Sequence, residues 1–315
     1  MALSELPSGG FGAPRLAVSG ARAATAAVFE NPSKRERAAG AVFLALLLLG
    51  LGVALLALAA IVIWAIAEGG SRFSLKLFTN GPSTINPDEA GFRTAILGSV
   101  YVIGGVIVLI VPLGIGAAIY LEEYARKHRW YNRLIELNIQ NLAGVPPIVF
   151  GILGLAFIVR GPLSLGFVAA AGSLTLALVV LPTVILASRE AIRAVPPSIR
   201  EGSLALGATQ WQTIRRQVLP SAVPGILTGV ILAVSRAIGE AAALLLVGAV
   251  TFATFDPHFF DGGYSVLPVM IFDYAGRPQD AFRELAISGV LVMLILVLIT
   301  SSFAVWLRNH YEQRW

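Results

Sequence analysis

The chain has 315 residues, of which 57% are hydrophobic and only 13% are charged, a balance too apolar for a soluble domain of this size. It contains no cysteine, which excludes disulfides, thiolate metal sites, iron–sulfur clusters and cysteine nucleophiles. The formal net charge is +5, which in so apolar a chain is more typical of basic cytoplasmic loops than of nucleic-acid binding. We therefore expect an all-α integral membrane protein.

The first part of the chain, residues 1–37, is rich in Ala, Gly, Ser and Pro. The apolar run that follows is too long, and starts too late, to be a cleavable signal peptide. A segment of this composition has little apolar surface to bury. We expect a flexible cytoplasmic tail over residues 1–37 and one membrane domain over residues 38–315.

Six charge-poor segments are each long enough to cross a bilayer as a helix, which takes about 20 residues. They are residues 38–67, 94–121, 137–159, 161–188, 217–255 and 285–307. With both termini inside, the cytoplasmic segments hold 16 of the 23 basic residues and the outer segments hold 6. The positive-inside rule then favours six spans with both termini in the cytoplasm.

The loop between the fourth and fifth spans, residues 189–221, has the pattern of a helix–turn–helix. After two prolines, Ser198 stands three residues before Glu201, which is the spacing of a capping box at a helix start. The helix is predicted to end at Gly207, because glycine is best suited to the left-handed conformation at a helix C-terminus. We call residues 189–221 the coupling loop, for a reason given below.

Beyond that glycine, Thr209 and Gln212 repeat the capping pattern, so a second short helix is predicted to run through Trp211 towards Pro220. One alternative is an ordinary linker that happens to have good helix caps. DNA recognition by the same shape is disfavoured, because the unit is tethered between two spans.

Two charged residues, Arg236 and Glu240, interrupt the otherwise uncharged fifth segment. A charge near the bilayer centre costs about 2.5–3.5 kcal/mol on insertion scales, so two charges indicate a function. Their spacing predicts that both lie on one helix face. Ser221, Thr228 and Ser235 form a small polar stripe beside them, and Gly225, Gly229 and Gly239 are predicted to let another helix approach closely.

This charged pair has two interpretations. In the first, Arg236 and Glu240 only neutralise each other and hold the helices together. In the second they line a polar path, together with Ser235 and Thr228. A guanidinium offers five fixed donors that suit a tetrahedral oxyanion, and a nearby carboxylate could hold it until an anion arrives. We favour a direct or gating role in a substrate pathway.

Enzymatic chemistry is not expected from this chain. Its three lysines, at positions 34, 76 and 127, all lack the glycine-rich context of a phosphate-binding loop. Its three histidines fall in loops or at the end of a span, and no HExxH or GxSxG motif occurs. We predict no catalytic residue, metal site or cofactor, so any ATP hydrolysis must come from a partner subunit.

The coupling loop resembles the EAA signature of ABC-importer permeases, which runs from a glutamate and small residues through a glycine to a closing leucine–proline. Here Gly202 and Ser203 fill the small positions, and Gln217 replaces the usual isoleucine. In that family the loop docks into a groove of the ATP-hydrolysing subunit. The resemblance therefore implies ATPase coupling for six residues: Ser198, Glu201, Gly207, Thr209, Leu219 and Pro220.

The wider sequence resembles the PstA-type permeases of phosphate ABC importers. The likeness covers most of residues 91–310 and is carried by SRAIGEAAAL, GSVYVIGGVIVLIVPLGIGAAIYLEEYA, NLAGVPPIVFGILGL, LPSAVPGILTGVIL and LPVMIFDYAGRP. The run of alanines at 241–243 departs from the family's threonine, alanine and proline. Losing that proline predicts a less kinked helix.

The resemblance implies a type I ABC importer permease with six transmembrane helices, in a bacterial or archaeal plasma membrane. It also implies the partners: a PstC-like sister permease, two ATP-binding PstB-like subunits and an external phosphate-binding protein, with phosphate as the substrate. A permease for sulfate or molybdate is the alternative, because such importers share the coupling loop and differ only in pathway residues.

Overall fold

The computed structural model describes residues 34–126, 129–249, 253 and 255–311, without the side chains of Glu36 and Tyr311. Helices make up most of this part of the chain, and its single β-bridge joins Ala249 to Tyr264. The helices are α1 (Lys34–Gly69), α2 (Lys76–Thr79), α3 (Arg93–Ile119), α4 (Trp130–Ala143), α5 (Pro147–Leu153), α6 (Ala169–Arg193), α7 (Pro197–Ala205), α8 (Gln210–Thr213), α9 (Leu219–Ile238), α10 (Ala242–Leu246), α11 (Leu267–Ala275) and α12 (Asp280–Tyr311).

Three of these helices continue or begin in a π turn, in which the backbone hydrogen bond spans five residues instead of four. The π turns are Tyr120–Tyr124 after α3, Gly154–Val159 after α5, and Ile214–Val218 between α8 and α9. Most of the predicted tail, residues 1–33, lies outside the described residues. Helix α1 begins at Lys34, before the predicted boundary at residue 38.

Among the described residues, five helices are long and apolar enough to cross a membrane: α1, α3, α6, the helix from Gln210 to Ile238, and α12. A sixth crossing requires α4 and α5 to act together, although they are bent by 108°. The predicted segment over residues 137–159 is therefore not one continuous helix. Gly144 caps α4, and Pro146 and Pro147 force extended backbone before α5 can start.

The chain divides into two units, residues 1–62 and 63–315. The part of α1 that lies in the first unit exposes its leucines, isoleucines and valines, Val53 among them. The most apolar stretch of α1 has a mean hydropathy of 3.0. A helix that is apolar on all faces needs an apolar surrounding. The bilayer supplies such a surrounding for α1.

In the second unit, α6 is the central helix and packs against both α3 and α9. Glycines make these contacts close: a Cβ on Gly114 of α3 would lie 2.6 Å from Val184 Cγ1, and one on Gly225 of α9 would lie 2.7 Å from Ala191 Cβ. The predicted close approach is confirmed at Gly225, and also at Gly229, where a Cβ would collide with Ala187. It is wrong at Gly239, whose nearest side-chain atom would be at an ordinary contact distance of 3.6 Å.

Three hydrophobic clusters stabilise the second unit. The largest lies along α3, α6 and α9, and the two smaller ones lie at opposite ends of α3. One small cluster contains Ala95 together with the aromatic rings of Phe92, Tyr274 and Phe282. The other contains Ala118 and lies at the coupling loop: its further members are Ile192, Val195, Val218, Ala222 and Ile226. The coupling loop thus rests on a packed base.

Candidate functional site

The first leg of the coupling loop is helix α7, which a proline starts. Pro196 is the N-cap and Pro197 the first helical residue, a position where the missing N–H of proline does no harm. Ser198 lies inside the first turn, and no side chain caps this helix start. The predicted capping box of Ser198 with Glu201 is therefore wrong, because the prolines start the helix earlier. Both side chains are exposed.

The turn between the two legs has the predicted geometry. Gly207 has φ of 85°, in the left-handed region, and its backbone N–H donates to the carbonyl of Leu204 at 2.9 Å. The Thr209 N–H donates to Gln212 Oε1 at 2.9 Å, and the Gln212 N–H donates to Thr209 Oγ1 at 3.3 Å. This reciprocal pair is the predicted capping box, which starts α8 at Gln210.

The second leg does not stop near Pro220. Helix α8 passes through the π turn Ile214–Val218 into α9, so one helix of 29 residues runs from Gln210 to Ile238. The π turn accommodates the proline, because the N–H of Leu219 bonds to the carbonyl five residues back and the missing N–H of Pro220 is tolerated next to it. The prediction of a second short helix is wrong. The second leg instead continues directly into the fifth span, so the span begins at the turn.

The two legs are also joined side by side and present apolar residues outward. The hydroxyls of Ser203 in α7 and Thr213 in α8 are 2.9 Å apart. At the tip, the Leu206 residue is 91% exposed, and Leu204 and Trp211 are about half exposed. Large apolar side chains grouped at a protruding turn are typical of a surface that another protein covers.

Beneath the loop lies a cluster of ion pairs that the sequence analysis missed. Glu122, whose side chain is only 5% exposed, lies 2.9 Å from Arg189 Nη2 and 2.7 Å from Arg193 Nη2. Arg189 also donates to Glu136 of α4 at 2.7 Å. These contacts join the ends of α3, α4 and α6. A detectable signal was present, since Arg189 and Arg193 are four residues apart on one helix face.

A second buried pair connects the loop itself to α3. Arg200 of α7 donates through Nε and Nη2 to Glu123 Oε1, at 3.1 and 2.9 Å. The Glu123 side chain is 10% exposed and that of Arg200 22%. A buried pair of this kind requires good geometry, because both ions lose their hydration.

At the other end of the long helix, Arg236 and Glu240 do not share a helix face. The helix ends at Ile238, with Gly239 as its C-cap, so Glu240 lies beyond it. Glu240 Oε1 accepts instead from the backbone N–H of Ala242, at 3.1 Å. Within the described residues, Arg236 is exposed and forms no ion pair or side-chain hydrogen bond. The predicted common face is therefore wrong.

The two polar residues predicted beside this pair have other neighbours. Ser235 Oγ lies 3.3 Å from Ser301 Oγ of α12. Thr228 Oγ1 donates to the carbonyl of Pro224 in its own helix at 2.9 Å. Both side chains are half-buried, and neither is bonded to Arg236.

The family of the chain follows from its similarity to known proteins. The sequence profile of the family described as "Binding-protein-dependent transport system inner membrane component" matches residues 110–315. The chain belongs to this family. The probable ABC transporter permease YqgI of Bacillus subtilis is 32% identical over 255 residues, which are 77% of this chain and 85% of that protein.

Two further relatives are named phosphate transport system permeases. PstA 1 of Mycobacterium tuberculosis strain H37Rv is 37% identical over 217 residues, covering 68% of each chain. PstA of Yersinia pestis is 35% identical over 243 residues, covering 76% of this chain and 79% of its own length. The resemblance to PstA-type permeases is thereby confirmed.

Solved structures show the same fold. The chain aligns with a bacterial alginate ABC transporter, in complex with an alginate pentasaccharide-bound periplasmic protein, at a TM-score of 0.60 and 15% identity. That alignment covers 87% of this chain and 96% of the other. The methionine ABC transporter MetNI aligns at a TM-score of 0.55 and 16% identity, over 70% of this chain and 95% of the other. The predicted type I importer permease fold is confirmed.

Membership of this family fixes the general role of the permease. It is a non-catalytic, membrane-spanning subunit of an ABC importer in the inner membrane. Its partners are separate subunits that hydrolyse ATP and a substrate-binding protein. The prediction that the chain is not an enzyme is confirmed on the same ground.

Proposed function

We propose that this permease is the PstA-type subunit of an ATP-driven importer of inorganic phosphate. The observation that carries the proposal is the single helix from Gln210 to Ile238. It starts at the turn of the coupling loop and ends beside Arg236, about 43 Å away at 1.5 Å per residue. One rigid element thus connects a docking surface to a charge suited to an anion. The phosphate assignment is supported by the names of the PstA relatives.

At the loop end, the exposed tip of α7 and the turn dock onto a PstB-like ATPase. Gly207 and Thr209 fix the angle between the two legs. Ser198 and Glu201 lie on the exposed side of α7, where the ATPase binds, while Leu219 and Pro220 carry the second leg into the span. Closure of two ATPases would move two such loops together, and the helix passes that movement to the pathway.

At the pathway end, Arg236 contacts the passing phosphate, and Glu240, Ser235 and Thr228 contribute polar groups nearby. An exposed arginine on a spanning helix is unfavourable against lipid, so a water-filled path or a neighbouring subunit must cover it. A PstC-like sister permease is that neighbour, and an external phosphate-binding protein delivers the substrate. The basic loops support a cytoplasmic position for both termini.

Uptake by the reconstituted complex tests the proposal. The permease is assembled with its sister, two ATPases and the binding protein in vesicles, and labelled phosphate is offered with excess unlabelled phosphate, sulfate or molybdate. We expect ATP-dependent uptake that unlabelled phosphate suppresses and the other anions do not. Suppression by sulfate or molybdate at equal concentration would mean that the substrate is that anion and not phosphate.

A further inference from the structure

A single residue at the end of α3, Glu123, contacts both legs of the coupling loop. Its carboxylate accepts from Arg200 of α7 at 2.9 and 3.1 Å. Its backbone carbonyl accepts from the side-chain Nε2 of Gln210, which is the first residue of α8, at 2.6 Å. The first leg is therefore tied through the side chain of Glu123 and the second leg through its main chain.

The guanidinium of Arg200 joins a third element to this contact. Nη2 donates to the carbonyl of Ile192 at 2.8 Å, and Nη1 donates to the carbonyl of Val195 at 2.6 Å. Ile192 lies in the last turn of α6 and Val195 two residues beyond its end, where the helix dipole favours a cation. Only the planar fork of arginine reaches three acceptors in this arrangement, since lysine carries its donors on one atom.

The neighbouring glutamate has a different set of partners. Glu122 binds Arg189 and Arg193 of α6. Two consecutive acids thus divide their contacts: Glu122 holds α3 to the end of α6, and Glu123 holds α3 to α7 and α8, the two legs of the coupling loop. The π turn Tyr120–Tyr124 carries both acids at the end of α3.

We propose that the Glu123–Arg200 pair is a clamp that passes movement of the coupling loop to α3. This inference rests on the proposed function, in which the loop docks onto the ATPase. Helix α9 moves with the loop because the two are one continuous helix, whereas α3 belongs to a different part of the chain and packs on α6. The apolar cluster that contains Ala118, Ala222 and Ile226 also joins α3 to α9, but such contacts are non-directional. The clamp adds a directional link to the first leg of the loop, so that α3 and α9 move together.

Both residues of the clamp are positioning residues, and uptake per ATP hydrolysed tests their role. Phosphate uptake and ATP hydrolysis are measured in the same vesicles for the wild type, Glu123→Ala, Glu123→Gln and Arg200→Gln. The control is Asp280→Asn, since Asp280 is 91% exposed, lies outside the coupling loop and is 3.6 Å from Arg283. A purely structural contact would lower uptake and hydrolysis together, through loss of assembled complex, and would leave their ratio unchanged.

We expect Glu123→Ala and Arg200→Gln to lower uptake per ATP by about tenfold, within the range of known coupling between sites. Glu123→Gln keeps an acceptor for Arg200 and should retain part of the ratio, and Asp280→Asn should match the wild type. A normal ratio in Glu123→Ala would overturn the clamp. Failure of Glu123→Ala to assemble, together with a normal ratio in Glu123→Gln, would also overturn it. Absence of phosphate uptake by the wild type would instead contradict the proposed function.

Distances between labels give an independent measurement. The chain has no cysteine, so Gln217→Cys and Leu113→Cys place two labels, one on the second leg of the coupling loop and one on α3, both at exposed positions. With an intact clamp, the distance between the labels stays constant between the nucleotide-free and ATP-trapped complex. In the Glu123→Ala background it should change or broaden. The same behaviour in both backgrounds would show that α3 follows the loop by another route.

Discussion

The arginines near the two ends of the helix Gln210–Ile238 differ in burial and in pairing. At the loop end, Arg189 is buried and Arg200 is half-buried, and each is bound to a glutamate whose side chain is 5% or 10% exposed. At the other end, Arg236 is exposed, and in the part of the chain that the structure describes it pairs with no side chain. Buried charges with complete partners fix a geometry. A charge on a spanning helix without a partner in its own subunit calls for one from outside, such as a second subunit or a substrate.

The two ends of the helix therefore have different proposed roles. In the proposed function the loop end transmits movement, so it should be sensitive to changes of shape and of packing. The pathway end is proposed to bind an anion, so it should be sensitive to the chemistry of one side chain. Substitutions that alter shape without altering charge can therefore break the first end and leave the second intact.

The largest effect is expected from Gly207→Leu. A leucine in the left-handed region costs about 1–2 kcal/mol, and relief of that strain would misdirect the second leg. We expect the complex to assemble, with substrate-stimulated ATP hydrolysis and uptake both largely lost. Gly202→Ala is the control, because Gly202 lies inside α7 with no atom within 4 Å of an added Cβ. Normal uptake in a fully assembled Gly207→Leu complex would contradict transmission through this turn.

A smaller effect is expected from Gly225→Val, which tests the packing of α9 on α6. An added Cβ would lie 2.7 Å from Ala191 Cβ, closer than carbon atoms approach. Overpacking of this kind destabilises by about 1–3 kcal/mol. We expect a lower melting temperature and a lower yield of complex. The matched change Gly116→Val on α3, where an added Cβ meets no atom within 4 Å, should leave both unchanged.

The smallest effect is expected from Thr209→Ala, which removes one half of the capping box. Loss of an N-cap destabilises a helix start by about 1 kcal/mol. Amide hydrogen exchange at Gln212 should become faster, and uptake should fall only slightly. Thr209→Ser keeps the hydroxyl and should restore slow exchange. Equal exchange rates in Thr209→Ala and the wild type would show that the cap does not hold the second leg.

The features that could be predicted from the sequence depend on neighbouring residues. The apolar lengths of the spans, the turn at Gly207 and the capping box of Thr209 with Gln212 each follow from chemistry within a few positions. Where two local signals compete, one must win: the prolines before α7 displaced Ser198 as the cap, and those before α5 broke the third span. The spans were predicted from the absence of charged residues, and this criterion cannot detect a bend such as the one between α4 and α5.

The features that could not be predicted depend on distant residues. Glu123 and Arg200 are 77 positions apart, and Glu122 and Arg189 are 67 apart. Nothing local indicates which arginine meets which glutamate. The pairing of Arg236 with Glu240 was a local prediction, but it assumed that the helix continued past Gly239. The sequence after Glu240 is free of charge as far as Phe255, so the charge pattern gives no sign that the helix stops at Gly239.

Uptake of labelled phosphate by Arg236→Lys tests the proposed contact between Arg236 and the substrate. Lysine keeps the charge but loses the fork of donors, and a hydrogen bond to a charged group contributes about 1.5–3 kcal/mol. Arg283→Lys is the control, since Arg283 is 66% exposed and pairs only loosely with Asp280, at 3.6 Å. Arg236→Met combined with Glu240→Gln removes both charges, so it also tests the alternative in which the pair only stabilises the helices.

We predict that all three variants assemble normally. Arg236→Lys and the double variant should lower phosphate uptake by about tenfold or more, as loss of a charge-assisted hydrogen bond implies. Arg283→Lys should transport like the wild type. Wild-type uptake in the assembled double variant would contradict the account, because it would leave Arg236 without a role in the pathway.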